Sequence, residues 1–263
     1  MILFMALLRL SFLKTFQYRG YVFINLISTG IQVFVQISLW LALFTANSVV
    51  QETTLNDMIN YLALTGLLAL TKLEGPGQLL SQRIINGSIA IDLIRPYKLK
   101  SCLLSQSIGE NLARFLLFVF PVYTVVLAVF GLQLPASPLH TLVFFHAVLN
   151  GVIISFYYFY LVGMLPFWLQ STWYVRFVNY AAFTLFGGAF VPIWFYPETL
   201  VKISYFLPFR YVTYEAVTFY LGRTSLVAMM GVLATQLVWI GILAALEAFV
   251  WKAAQKKIMI FGG

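Results

Sequence analysis

Residues 83–100 read RIINGSIAIDLIRPYKLK, Arg83 to Lys100, and this stretch decides how the rest of the chain is understood. It carries Arg83, Asp92, Arg95, Lys98 and Lys100, whereas the residues on either side run almost uninterruptedly apolar. A segment this charged belongs in water or among lipid headgroups, and its flanks then read as helices crossing a membrane. Its interior is ordered like a small structural unit. Asn86-Gly87 is a turn signal, Ile89 to Ile94 makes one or two amphipathic helical turns, and Arg95-Pro96 stops them.

Composition agrees with that reading. Of 263 residues 62% are hydrophobic, 17% aromatic and only 9% charged, and the mean hydropathy is +0.92. A soluble domain of this size could not cover itself with so few charges, while lipid tolerates apolar surface all round a helix. The formal net charge of +8 falls between apolar runs instead of on one folded face. Orientation in an anionic-lipid membrane accounts for it better than nucleic-acid binding. A single cysteine, Cys102, excludes an intramolecular disulfide and a cysteine metal cluster.

Taken in order, the chain yields an all-α polytopic membrane protein with six transmembrane helices and a single transmembrane domain over residues 1–263. Residues 1–20 carry Arg9, Lys14 and Arg19 within and after an apolar run, unlike a cleaved signal, and read as an N-terminal interfacial helix. The six spans are placed at Tyr21–Thr45, Met58–Thr71, Gly109–Phe130, His140–Leu165, Phe177–Val191 and Ser225–Trp251. In the first, Asn25, Thr29, Gln32 and Gln36 recur on one stripe, expected to face protein, a wet path or a subunit seam. Lys72, Glu74 and Gly75-Pro76-Gly77 read as the end of the second span. Glu110 and Arg114 make an i,i+4 pair, and Asn150, one turn from His146, reads as a packing residue more readily than as part of a proton relay.

Residues 192–223 are apolar and aromatic but interrupted by prolines and by Glu198, Lys202, Arg210 and Glu215. They read as two short helices dipping into the outer interface, with Gly222 as a stop. Glu198, Arg210 and Glu215 could form an ion-paired outer gate. With both termini inside, 13 of the 16 Lys and Arg lie on the inner side, and only Lys202, Arg210 and Arg223 lie outside.

Several chemistries are absent from the sequence. There is no G-x-x-x-x-G-K-[ST], no H-E-x-x-H and no G-x-S-x-G, so the chain has no nucleotide, zinc-protease or hydrolase motif of its own. Eight carboxylates and two histidines, mostly near membrane surfaces, make a facing acid and base hard to assemble. No two glycines stand four apart, so the G-x-x-x-G helix-pairing motif is missing as well.

The pattern I-x-x-G-x-I-x-x-D-L-I-R-P (Ile84, Gly87, Ile89, Asp92, Leu93, Ile94, Arg95, Pro96), together with P-I-W-F-Y-P-E and then L-P-F-R-Y in the outer segment, resembles type-2 ATP-binding-cassette (ABC) exporter permeases of the antibiotic-resistance-like branch. The resemblance implies a permease subunit, not an enzyme, that moves an amphipathic or hydrophobic substrate outward. It implies two copies of a cytosolic ATPase subunit, which hold the ATP and magnesium, and a second permease, the same chain or another. No cofactor is expected in this chain, and its remaining partners are membrane lipids, not nucleic acid. Residues 83–100 become the cytosolic coupling segment, with Arg83, Gly87, Asp92, Arg95 and Pro96 as ATPase-coupling residues and Asp92 and Arg95 making the polar contacts. The resemblance places the chain in a bacterial inner membrane. A secondary transporter, a channel or a non-transporting scaffold stays open as the alternative, the first two requiring intramembrane charges or matching broken helices that the sequence does not display.

Overall fold

The computed structural model describes residues 2–17, 19–46, 49–50, 53–131, 133–169 and 173–261. Helix α1 (Ile2–Gln17) is followed at once by α2 (Arg19–Ala46). Two-residue strands β1 (Val49–Val50) and β2 (Thr53–Thr54) pair antiparallel, and Thr54 then caps α3 (Leu55–Leu67) in a reciprocal box with Asp57. A tight turn at Leu68–Thr71 leads to α4 (Gly75–Ile85), the short α5 (Ile89–Ile94) and α6 (Leu99–Arg114). A wider turn over Phe115–Val119 carries α6 into α7 (Phe120–Phe130) without a break in direction. There follow α8 (Pro138–Gly163), α9 (Trp173–Phe186), α10 (Glu198–Tyr205), α11 (Tyr214–Tyr220) and α12 (Leu226–Phe261).

Among the described residues, four stretches are long and apolar enough to cross a bilayer: Val22–Thr45, Leu99–Phe130, Pro138–Phe167 and Leu226–Lys257. These correspond to the expected spans one, three, four and six. Expected spans two and five are α3, of 13 residues, and α9, of 14, each too short to cross alone.

The second span corrects the sequence reading. Gly75-Pro76-Gly77 does not end the helical run but starts α4, because proline is tolerated in a first turn, where its missing N–H has no partner to lose. The interruption at Lys72–Glu74 lies deep between two long helices. Asn111 donates to the Lys72 carbonyl (3.3 Å), and the Leu73 amide donates to Ser155 Oγ (3.2 Å). Asn111 is about 18 Å along its helix from Leu99 and about 28 Å from Phe130. Ser155 is about 26 Å from Pro138 and about 12 Å from Gly163. The expected second span is therefore a helical run interrupted between α6 and α8, with the Lys72 carbonyl and the Leu73 amide received by neighbouring side chains.

Close packing holds α4 against α8. A Cβ on Gly77 would meet the Phe159 backbone, and one on Gly163 would meet the Gly77 backbone. The small residues that let these helices approach come one from each, which is why no motif within a single helix announced them. Around this contact Leu80, Leu103, Phe156, Tyr160, Met164 and Ala254 form one buried cluster. A second polar tie links α8, α12 and the segment before α11. Gln236 Nε2 donates to the Ala147 and Tyr211 carbonyls (3.0 and 2.8 Å), and its Oε1 accepts from Asn150 (3.1 Å). Asn150 is thus the packing residue the sequence pointed to, while His146 stands exposed.

Helix α1 packs along α6, with Leu8 and Phe12 against Gly109. Its exposed residues mix apolar Ile2, Met5 and Leu10 with Arg9, Lys14 and Gln17, so charge is not gathered on one face.

Candidate functional site

The segment over residues 83–100 is built by a turn and a clamp. After α4, Gly87 adopts φ +75, a left-handed conformation that side chains other than glycine resist. Asn86 Oδ1 accepts from both the backbone and the hydroxyl of Ser88 (3.1 and 2.7 Å), which fixes the entry to α5. On α5, Ile89 and Asp92 face the bundle and are buried. Arg83 Nη1 donates to Asp92 Oδ2 at 2.9 Å and Nη2 donates to Gln106 Oε1 at 3.1 Å. Tyr97 OH donates to Asp92 Oδ1 at 2.8 Å, and Arg95 Nη1 donates to Tyr97 OH at 3.3 Å. One buried carboxylate therefore ties α4, α5 and the Arg95-Pro96 stop together, and through Gln106 the clamp reaches α6.

Asp92 turns inward, and its carboxylate is occupied within the chain by Arg83 and Tyr97. Arg95 stays largely exposed, as does Pro96. The outward surface of α5 is instead apolar: Ile94 is 85% exposed and Ile91 57%. Next to the clamp, Lys100 pairs with Glu247 of α12 at 2.8 Å and lies over the Tyr157 ring at 4.4 Å, which anchors α6 to α8 and α12.

A cavity of about 560 Å³ runs beside the break in span two, between α4, α8 and α9. Gln82, Ile85 and Arg176 line it at the end nearer α5, and Lys72, Asn179 and Phe183 line it farther in. Lys72 and Glu74 were expected at the end of a span; they are wall residues of this cavity because the chain resumes as α4 beyond them. No pattern in the sequence separates a helix that stops from one that breaks and restarts.

Of the three residues expected at an outer gate, Arg210 and Glu215 come together and Glu198 stands apart. Arg210 Nε donates to Glu215 Oε1 at 2.7 Å and Arg210 Nη1 donates to Ser204 Oγ at 2.7 Å, with both charged side chains about 5% exposed or less. Burial pushes the Glu215 carboxyl above its ordinary range, and Arg210 pulls it back. Glu198 is not part of this group. It pairs with Lys202 one helical turn away (2.7 Å) on the open surface, because α10 turns its first residue outward. Glu110 and Arg114 do approach, at 3.8 Å.

The stripe on α2 lies at the edge of a buried face. Val33, Ile37, Trp40 and Phe44 are buried; Thr29 donates to the Asn25 carbonyl at 2.8 Å; Gln36 is half-buried and Gln32 is exposed. None of the four lines the cavity beside Lys72.

Long apolar helices, a clamped polar hairpin at one end and an interior cavity beside a broken helix define a multi-pass membrane transport protein without a nucleotide motif of its own. The chain belongs to the ABC-2 family transporter proteins, whose family pattern matches residues 31–262. It is an ABC-2 type permease, a membrane subunit of a kind that is generally non-catalytic and works with ATPase subunits. No curated protein and no solved structure matches it.

Proposed function

We propose that the chain is the membrane-spanning subunit of an ATP-driven exporter in a bacterial plasma membrane, with both termini cytoplasmic. A separate cytosolic ATPase, present in two copies and holding ATP and magnesium, closes on α5 and moves an amphipathic or hydrophobic substrate outward across a pair of permeases. The observation that carries this reading is the Arg83–Asp92–Tyr97 clamp, which holds a six-residue helix rigidly while leaving Ile91 and Ile94 in the open. An exposed apolar tip on a fixed support is suited to transmit force, since a push on α5 passes into α4 through Arg83 and into α6 through Gln106. The internally bonded helices then move as rigid bodies at little cost to backbone exposed to lipid. The distribution of basic residues supports the α5 end as the cytosolic one.

The test is co-expression with a candidate P-loop ABC ATPase subunit from the same organism. Ile94→Asp should abolish co-purification and ATPase stimulation, and Lys202→Ala should leave both intact. Full co-purification and coupling in the Ile94→Asp variant would overturn the assignment of α5.

A further inference from the structure

We propose that the cavity beside the broken span binds an amphipath carrying one anionic headgroup, with Lys72 as its counter-charge. This deepens the transport reading by giving its substrate a charge, and it rests on that reading only for the word substrate. The carboxylate that acts on Lys72 is Glu74, two residues on, and it does so through space without an ion pair. Among the described residues no carboxylate stands within ion-pair reach of its ammonium and no hydrogen bond satisfies it; its close neighbour is the ring of Phe183, 5.3 Å away. Its backbone is pinned by Asn111, so the side chain is delivered into the cavity wall and is not free to follow the helix to either surface. A cation set mostly out of solvent in a cavity wall is costly unless something answers it.

The remaining wall says what the answer looks like. Glu74 lies on the same wall at the N-cap of α4, where the positive end of the helix dipole also draws on its carboxylate, so it answers Lys72 only in part. Arg176 adds a second cation toward the α5 end, leaving one net positive charge on the cavity. Beside the polar groups, Phe159, Val162 and Phe183 offer an apolar surface, and a volume of about 560 Å³ suits a drug-sized body. A carboxylate, sulfonate or phosphate headgroup at Lys72, with its apolar part against these rings, satisfies the whole wall. A cationic amphipath would meet two like charges, and a neutral one would leave the lysine unanswered.

The chain, in nanodiscs of zwitterionic lipid, is titrated with 11-(dansylamino)undecanoic acid, its methyl ester and a trimethylammonium analogue of the same chain length. The acid should bind saturably and the other two at least about tenfold more weakly, a loss equal to about 1.4 kcal/mol. Lys72→Gln should erase the preference, Lys72→Arg should keep it, and Lys202→Gln should change nothing. Should Lys72→Gln fail to fold, a carboxylate-bearing diazirine probe on the unaltered chain should label peptides containing Phe159 or Phe183 and be competed by the acid. Displacement of the acid by phosphatidylglycerol in the nanodisc identifies a lipid as the anionic occupant, and its absence identifies a free amphipath. Equal binding of acid and ester, preference for the cationic analogue, or labelling elsewhere would overturn the proposal. Because binding is read without ATP or a partner, failure here leaves the α5 experiment untouched, and failure there leaves this one.

Discussion

Replacing Asp92 by alanine should loosen α5 without unfolding the bundle, and the size of the effect follows from the hydrogen bonds that the carboxylate accepts. Two charge-assisted bonds disappear, from Arg83 at 2.9 Å and from Tyr97 at 2.8 Å. The Arg83 side chain, 20% exposed, keeps Gln106 and gains some access to water, so its desolvation penalty is not fully realised. With each charged hydrogen bond contributing about 1.5–3 kcal/mol net, and a discount for that access, α5 should lose about 2–4 kcal/mol of local stability. Hydrogen exchange reads this directly: the amides of residues 89–94 should exchange roughly 30- to 1,000-fold faster. Amides of α8, which the clamp does not touch, should be unchanged. A cycle with Arg83→Ala should show coupling, because removal of either partner already breaks the pair. Unchanged exchange in α5 would refute the clamp. Loss of ATPase stimulation with α5 still protected would return Asp92 to the role of a direct partner contact.

Other consequences can be checked with thermal or denaturant unfolding in detergent. Gly77→Ala should cost about 1–3 kcal/mol, since its Cβ would meet Phe159 backbone and the α4–α8 contact would have to widen; an unshifted melting temperature would mean that the two helices have room to spare. Gln236→Leu leaves two buried carbonyls and Asn150 without their partner and should cost about 1–3 kcal/mol. Arg210→Met strands the Glu215 carboxylate in a buried site and should cost about 3–5 kcal/mol, with Arg210→Met/Glu215→Leu recovering much of it. Glu198→Ala, by contrast, removes one partner of an exposed pair and should change stability by less than about 0.5 kcal/mol. A large effect of Glu198→Ala would restore it to an outer gate.

Much of the fold could be read from hydropathy because spans one, three, four and six are long runs whose apolar character is nearly continuous. The stop at Gly222 and the pair of short helices after Pro192 were equally legible, since proline and glycine act locally. The break in span two was not. Gly75-Pro76-Gly77 carries the same local signal whether a helix ends or restarts, and the outcome rests on Asn111 and Ser155, distant in sequence, receiving the interrupted backbone. The site divided in the same way. Gly87 and Pro96 showed themselves as turn and stop, but whether Asp92 faced outward or inward depended on Arg83, Gln106 and Tyr97 closing around it.

The sequence by itself determined that this protein lives in a membrane, where its polar hairpin and its interrupted aromatic segment lie, and that it lacks a nucleotide motif, because these follow from composition and from residues adjacent in the chain. Only the tertiary structure decided that Lys72 lines a cavity, that Arg210 answers Glu215 while Glu198 does not, and that the apolar side of α5 is its open side. Burial and pairing are properties of what folds against a residue, and those neighbours come from elsewhere in the chain.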